Sequence, residues 1–213
     1  MSTTGSFVLW SVRILCLTFV LKGLNGCAFV GGFDAPTVKQ SFEQTNPLLV
    51  DKSQARKIKV LLIAPPTDKN TSEEEVLYVA EALKASGRFS IVSPSQFARE
   101  ASKEGVSLGL MTADDRVALA QRIGKTFSAD AALFITGEEV ARDIDGQILI
   151  GRGGARGKNR ARIYAVHTGS LVWEQVQQAN LTFGAFHGTG SKEQLIKAVY
   201  DPLIANLLDS FRE

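Results

Sequence analysis

Cysteine is scarce: the 213 residues hold only Cys16, inside an apolar run, and Cys27 beyond it. Neither stands near a histidine or a carboxylate in sequence. Histidine is equally sparse. His167 and His187 each lie beside a Thr- and Gly-containing turn, without metal-ligand spacing and with no cysteine to join them. No Gly-x-Ser-x-Gly elbow occurs, so the "HGTG" at His187–Gly190 has no nucleophile to serve as an oxyanion loop. The acidic groups Glu73–Glu75 and Asp114–Asp115 fall in first helical turns, where negative charge favours the helix dipole without any acid–base role. These absences leave no catalytic residue, metal site or conventional cofactor to nominate.

The sequence also lacks a basic surplus, with 24 Lys and Arg against 22 Asp and Glu. The excess belongs to the first 26 residues, which contribute Arg13 and Lys22 and no acid. Cutting before Cys27 leaves a formally neutral chain, unlike a nucleic-acid binder, which keeps a concentrated positive field. Residues 1–26 combine a basic start, the apolar core "ILCLTFV" and small residues before Gly26. That is the pattern of a secretory signal peptide, too short to span a bilayer. "Leu24-Asn25-Gly26-Cys27" resembles the bacterial lipobox, which places cleavage between Gly26 and Cys27. The resemblance implies a covalent diacylglycerol and N-acyl lipid on Cys27. A processed chain would then retain no cysteine for an intramolecular disulfide or thiolate chemistry.

Residues 27–56, rich in Gly, Pro and uncharged polar residues, read as a lipidated start followed by a flexible tether. Some 29 such residues have a root-mean-square reach of about 30 Å, and about 100 Å fully extended. Residues 57–213 are then long enough for one domain. "KIKVLLIAPP" reads as a buried strand. A helix follows, with a Thr71–Glu74 capping box and inward Val76, Val79, Ala80 and Leu83; "RFSIVSP" is a second, parallel strand. Short helices at about Ser95–Lys103 and after Thr112 precede the strand Ala129–Val140, the second with Val117, Ala120, Ile123 and Phe127 inward. Asp145-Gly146 marks a hairpin turn, Arg160–Leu181 gives two strands joined at Thr168-Gly169, and a helix from about Ser191 is interrupted near Pro202. The expected fold is α/β (α+β): a βαβ start, an antiparallel meander and a C-terminal helix on a mixed sheet.

The segments "KIKVLLIAPPTDKNT", "GRFSIVSPSQFA", "FSADAALFITGEE" and "IYAVHTGSLVWEQ" stand in an order that resembles a group of bacterial envelope proteins. The group includes the curli secretion channel subunit, the penicillin-binding-protein activator lipoproteins and the amino-terminal domain of TolB. The resemblance covers about Lys57 to Phe211, and "AVHTGSLVWE" carries most of it. It implies a non-enzymatic, lipid-anchored envelope protein that binds the membrane through its lipid and regulates or assembles another envelope machine. Ala28, with no aspartate at that position, implies outer-membrane sorting, facing the periplasm. Self-assembly of a homo-oligomer as an outer-membrane secretion channel, or a small-ligand-binding or enzymatic periplasmic domain, are the alternatives that the group and the fold leave open.

Two features offer an interaction surface. "GRGGARGKNR" fails the phosphate-loop spacing and reads as a solvated hairpin loop, whose Arg152, Arg156, Lys158 and Arg160 would meet lipid phosphate or an acidic partner. Trp173 either faces the core or, exposed beside Val172 and Val176, marks a binding surface.

Overall fold

The computed structural model describes residues 39–44, 47–141, 153–183 and 192–212. Cys27, Gly26 and Arg152, together with the Asp145-Gly146 turn and His187, lie outside the described residues. In chain order the elements are β1 (Lys39–Gln44), β2 (Leu48–Leu49), α1 (Lys52–Lys57), β3 (Val60–Ile63), α2 (Glu73–Ala85) and β4 (Ser90–Val92). They continue with α3 (Pro94–Lys103), a 3-10 turn (Leu108–Leu110) and α4 (Ala113–Thr126). The last are β5 (Ala131–Ala141), β6 (Gly153–Ala165), β7 (Leu171–Phe183) and α5 (Lys192–Ser210).

Seven strands make one mixed sheet of order β1-β7-β6-β5-β3-β4, with β2 also paired to β7. β3 runs parallel to β4 and β5, whereas β5, β6 and β7 form an antiparallel meander. The expected βαβ start, meander and C-terminal helix are all present. One face carries Leu61, Ile63, Leu133, Ile135, Ile163 and Trp173 into a core completed by α2 and α5. The other carries Leu62, Ala64, Val92 and Ala132 against α3 and α4. Strand β3 is apolar throughout because it lies between these two layers.

Capping chemistry sets the helix starts. Ser72 and Glu75 form a reciprocal capping box on α2, one residue beyond the expected Thr71–Glu74 pair. Thr71 is engaged elsewhere: it bonds to Asp68 and accepts from the Gly137 N–H. Ser93 and Gln96 box α3 with Pro94 at its first position, and Thr112 caps α4. In α4 the buried side is Leu119, Ala120, Ile123 and Gly124. Val117 and Phe127 are only half-buried there.

Three expectations need correction. The segment read as tether up to Arg56 contains β1, β2 and α1, because the outer edge of β7 needs strand partners and recruits this polar stretch. Asp51 accepts from the Ser53 hydroxyl and from the amides of Gln54 and Ser53 at the start of α1, and those bonds hold its carboxyl below the usual range. The dozen residues from Cys27 to Lys39 therefore span at most about 40 Å. Secondly, residues Gly153–Arg160 are not a loop but the first part of β6, paired with β7 throughout and with β5 from Arg156 onward. The glycine Gly157 fits there because a Cβ would sit 3.0 Å from Val199 Cγ2 of α5. Thirdly, α5 runs through Pro202 without a break, since Val199, Tyr200, Leu203 and Leu207 are all buried around it.

Helices α2 and α5 are joined on their outer side by the Tyr78 hydroxyl, which donates to Asp201. Burial, that hydrogen bond and the negative charges of Asp201 and Glu193 push Tyr78 up to about 12. Folding therefore favours the protonated phenol. The resulting stability is fully present below pH 10, the ordinary tyrosine value, and is lost as pH rises toward about 12. Tyr78→Phe is expected to cost about 1 kcal/mol in urea unfolding near neutrality. The gap between the two proteins should close above pH 10. A gap that stays constant through that range would show that the Tyr78–Asp201 bond does not hold the helices.

Candidate interaction face

Alternation along β6 decides what this site contains. Ala161 and Ile163 turn into the α2–α5 core, so Arg160, Arg162 and Tyr164 share the opposite face. The ladders place Thr136 opposite Arg160, Phe134 opposite Arg162, and Glu174 of β7 on the other side of Arg162. Leu48 of β2 lies opposite Glu174 in turn. Helices α3 and α4 pack on β3 and β5 at one end of this face. Toward β7 it stays partly open, and Leu48 is 56 % exposed.

The centre of the face is an ion triad. Arg160 Nη1 donates to Glu174 Oε1 at 2.7 Å, and Arg162 Nε donates to the same oxygen at 2.8 Å. Burial would raise the Glu174 carboxyl, but the two arginine hydrogen bonds and their positive charges outweigh it and hold it below the ordinary glutamate value. Phe134 and Tyr164 meet edge to face beside the triad, with centroids 5.8 Å apart. A half-buried pair of arginines, two aromatic rings and an exposed leucine is the composition of an interface core with a polar rim.

The structure brings together part of what the sequence nominated. Arg156 lies in β6 opposite Ala141 and Asn180, and half-buried Lys158 lies opposite Gln178. Together with Arg160 they occupy alternate positions of one strand rather than a loop tip. Trp173 is fully buried, so its core alternative holds and it is no surface residue. Its Nε1–H donates to Ser210 Oγ at 3.1 Å. Arg162 and Glu174 escaped the sequence reading, although the every-second-residue charges Arg156, Lys158, Arg160 and Arg162 are a strand signal. Exposed His167 sits in the β6–β7 turn. Among the described residues no cluster of three or more metal-ligating side chains exists, and no helix is long and apolar enough to cross a membrane.

No family model matches the chain, and no curated protein matches it. Solved structures do resemble it. The PelC dodecamer from Paraburkholderia phytofirmans is 14 % identical, with 82 % of this chain and 99 % of that chain covered and a TM-score of 0.47. Lipoprotein GNA1162 from Neisseria meningitidis is 16 % identical, with 71 % and 99 % covered and a TM-score of 0.48. The LpoB C-terminal domain from Salmonella enterica is 17 % identical, with 60 % and 93 % covered and a TM-score of 0.40. At such distances a shared order of elements goes with many different roles, and none is taken from these proteins.

Proposed function

We propose that this chain is a lipid-anchored, non-enzymatic protein of the bacterial envelope that acts by binding another envelope protein through the β6–β7 face. The observation that carries this reading is the Arg160–Glu174–Arg162 triad, set among Phe134, Tyr164 and Leu48 on a face the helices do not close. The lipobox-like Leu24–Cys27 supports the anchor, with diacylglycerol and an N-acyl chain on Cys27, and Ala28 supports an outer-membrane address. Confinement to one leaflet raises the local concentration of the face near its partner without any added contact. The triad supplies orientation more than raw affinity: a partner carboxylate that reaches Arg162 meets a guanidinium already fixed by Glu174. The activity is then regulation or assembly of the partner machine, a cell-wall synthase or a transport or secretion complex.

Two measurements test the two halves. Palmitate labelling and membrane retention are expected to be lost in Cys27→Ser, and unchanged labelling would remove the anchor. In-cell crosslinking followed by sizing and mass spectrometry is expected to recover a heterologous complex with the wild-type chain. Arg162→Glu should reduce that recovery by roughly tenfold or more, since reversal of a half-buried interface charge costs about 2–5 kcal/mol. Equal recovery by both chains would overturn the assignment of the face. A large ladder of this chain alone would instead mark the homo-oligomeric channel.

A further inference from the structure

A second charged feature lies where α1 meets the end of α5. A cleft of about 260 Å³ is lined by Leu49, Lys52, Arg56, Asp209, Ser210 and Arg212. Lys52 and Arg56 are four apart on α1, so they share one side of it. Both are exposed, and neither side chain has an ion pair or hydrogen bond among the described residues. Arg212 has only Asp209, at 3.3 Å, with both side chains more than 70 % exposed. So exposed a pair contributes little and yields readily to a better anion. Three cations against one carboxylate leave two unmatched positive charges.

The walls are held firmly. Ser210 accepts from Trp173 Nε1 and donates to the Asn206 carbonyl, which fixes the end of α5 to buried β7. Arg88 donates to the carbonyls of Phe211 and Ile58, tying the end of α5 to the end of α1. Buried Phe211 packs edge to face on Phe89, with centroids 5.7 Å apart. Two like charges at i and i+4 on a six-residue helix work against that helix by a few tenths of a kcal/mol. The fold thus holds cations together around a preformed cleft at its own expense.

We propose that this cleft is a binding site for a phosphate group, taken as the dianion of a monoester or as a phosphodiester headgroup. Two guanidinium forks suit phosphate oxygens in bidentate fashion and Lys52 adds a point charge. The unmatched charge of two equals that of a monoester dianion, whereas a phosphodiester, like a carboxylate, would neutralise half of it. Half-buried Leu49 gives an adjoining glyceryl or alkyl portion an apolar wall. The volume lies below the roughly 300–1,000 Å³ of pockets for drug-sized ligands, which limits the occupant to a headgroup-sized molecule.

The test is a titration of the full chain with inorganic phosphate and with glycerol 3-phosphate, followed by phosphorus NMR line width. Saturable binding is expected, weakened about tenfold in Lys52→Gln/Arg56→Gln and, separately, in Arg212→Gln. Arg99→Gln/Lys103→Gln, which alters exposed cations on α3, should bind as the wild type does. Vesicles of phosphatidylglycerol and of phosphatidylcholine then separate the sources. Stronger retention on phosphatidylglycerol that disappears in the Lys52/Arg56 variant supports a lipid headgroup. Indifference to the lipid with phosphate binding intact supports a soluble phosphate ester. No saturable phosphate binding, or binding equal in the wild type and both cleft variants, would overturn the proposal.

Discussion

Trp173→Ala is expected to lower the unfolding free energy by about 3–5 kcal/mol, the range for removal of a large buried aromatic side chain. Trp173 is fully buried, on the sheet face that α5 covers, with Ile163 beside it on β6 and Leu49 on β2. Its removal opens a cavity between sheet and helix and leaves Ser210 without its donor at the end of α5. Against a total of roughly 5–15 kcal/mol for an ordinary domain, such a loss is a third of the stability or more. For a domain of this size the melting temperature should fall by about 10 °C, at roughly 2–4 °C per kcal/mol. Trp173→Phe keeps most of the apolar volume and forfeits only the indole N–H, so it should lose about 1–2 kcal/mol. Urea unfolding of the three proteins decides the matter. A cost below about 1 kcal/mol for the alanine variant would return Trp173 to the alternative of a surface residue beside Val172 and Val176. Because Ser210 also walls the phosphate cleft, Trp173→Ala should loosen that cleft even where the fold persists.

The elements legible in the sequence were those with apolar periodicity or cap chemistry. "VLLI" announced a strand buried on both faces, and Val76, Val79, Ala80 and Leu83 announced the inward side of α2. Two parts of the fold were not legible, for the same physical reason. Lys39–Gln44 and Gly153–Arg160 have poor strand propensity, and each becomes a strand because long neighbouring ladders satisfy its backbone. Their polarity read locally as tether and as loop. The interaction face was therefore half visible: Lys158 and Arg160 were nominated as charges, but on a hairpin tip. The pairing of Arg160 and Arg162 across the sheet with Glu174 depends on a register that only β7 supplies. The phosphate cleft was invisible because Lys52 and Arg56 lay in the supposed tether, about 160 residues from Arg212 in sequence.

A second large effect is expected at Gly137, where the obstacle is space rather than backbone angle. Its backbone is not among those with positive φ, so alanine could adopt the conformation. A Cβ there would lie 2.7 Å from Asn70 Cβ and 2.8 Å from the Asn70 carbonyl carbon and oxygen. Two of those three atoms are backbone, so no rotamer change relieves the contact. The β3–α2 loop is pressed onto this point of β5 by paired bonds: the Gly137 N–H donates to Thr71 Oγ1 at 2.6 Å, and Asn70 Nδ2 donates to the Gly137 carbonyl at 3.2 Å. Asp68 stiffens the loop by accepting from the Asn70 and Thr71 amides at 2.9 and 2.8 Å. Gly137→Ala must therefore lift the loop or flatten the irregular pairing between Gly137 and Glu139, and the bond from the residue-137 amide to Thr71, only 6 % exposed, is lost either way. Overpacking of about 1–3 kcal/mol and about 1 kcal/mol for each bond lost give an expected cost of about 2–4 kcal/mol. Gly109→Ala is the control, since nothing lies within 4 Å of a Cβ there; it should change stability by less than about 0.5 kcal/mol. Amide exchange separates the two ways of yielding. If the loop lifts, the residue-137 amide loses protection together with that of Thr71. If β5 shifts instead, protection falls along its ladder to β6. A Gly137→Ala protein as stable as the Gly109→Ala control would mean that the loop does not rest on β5.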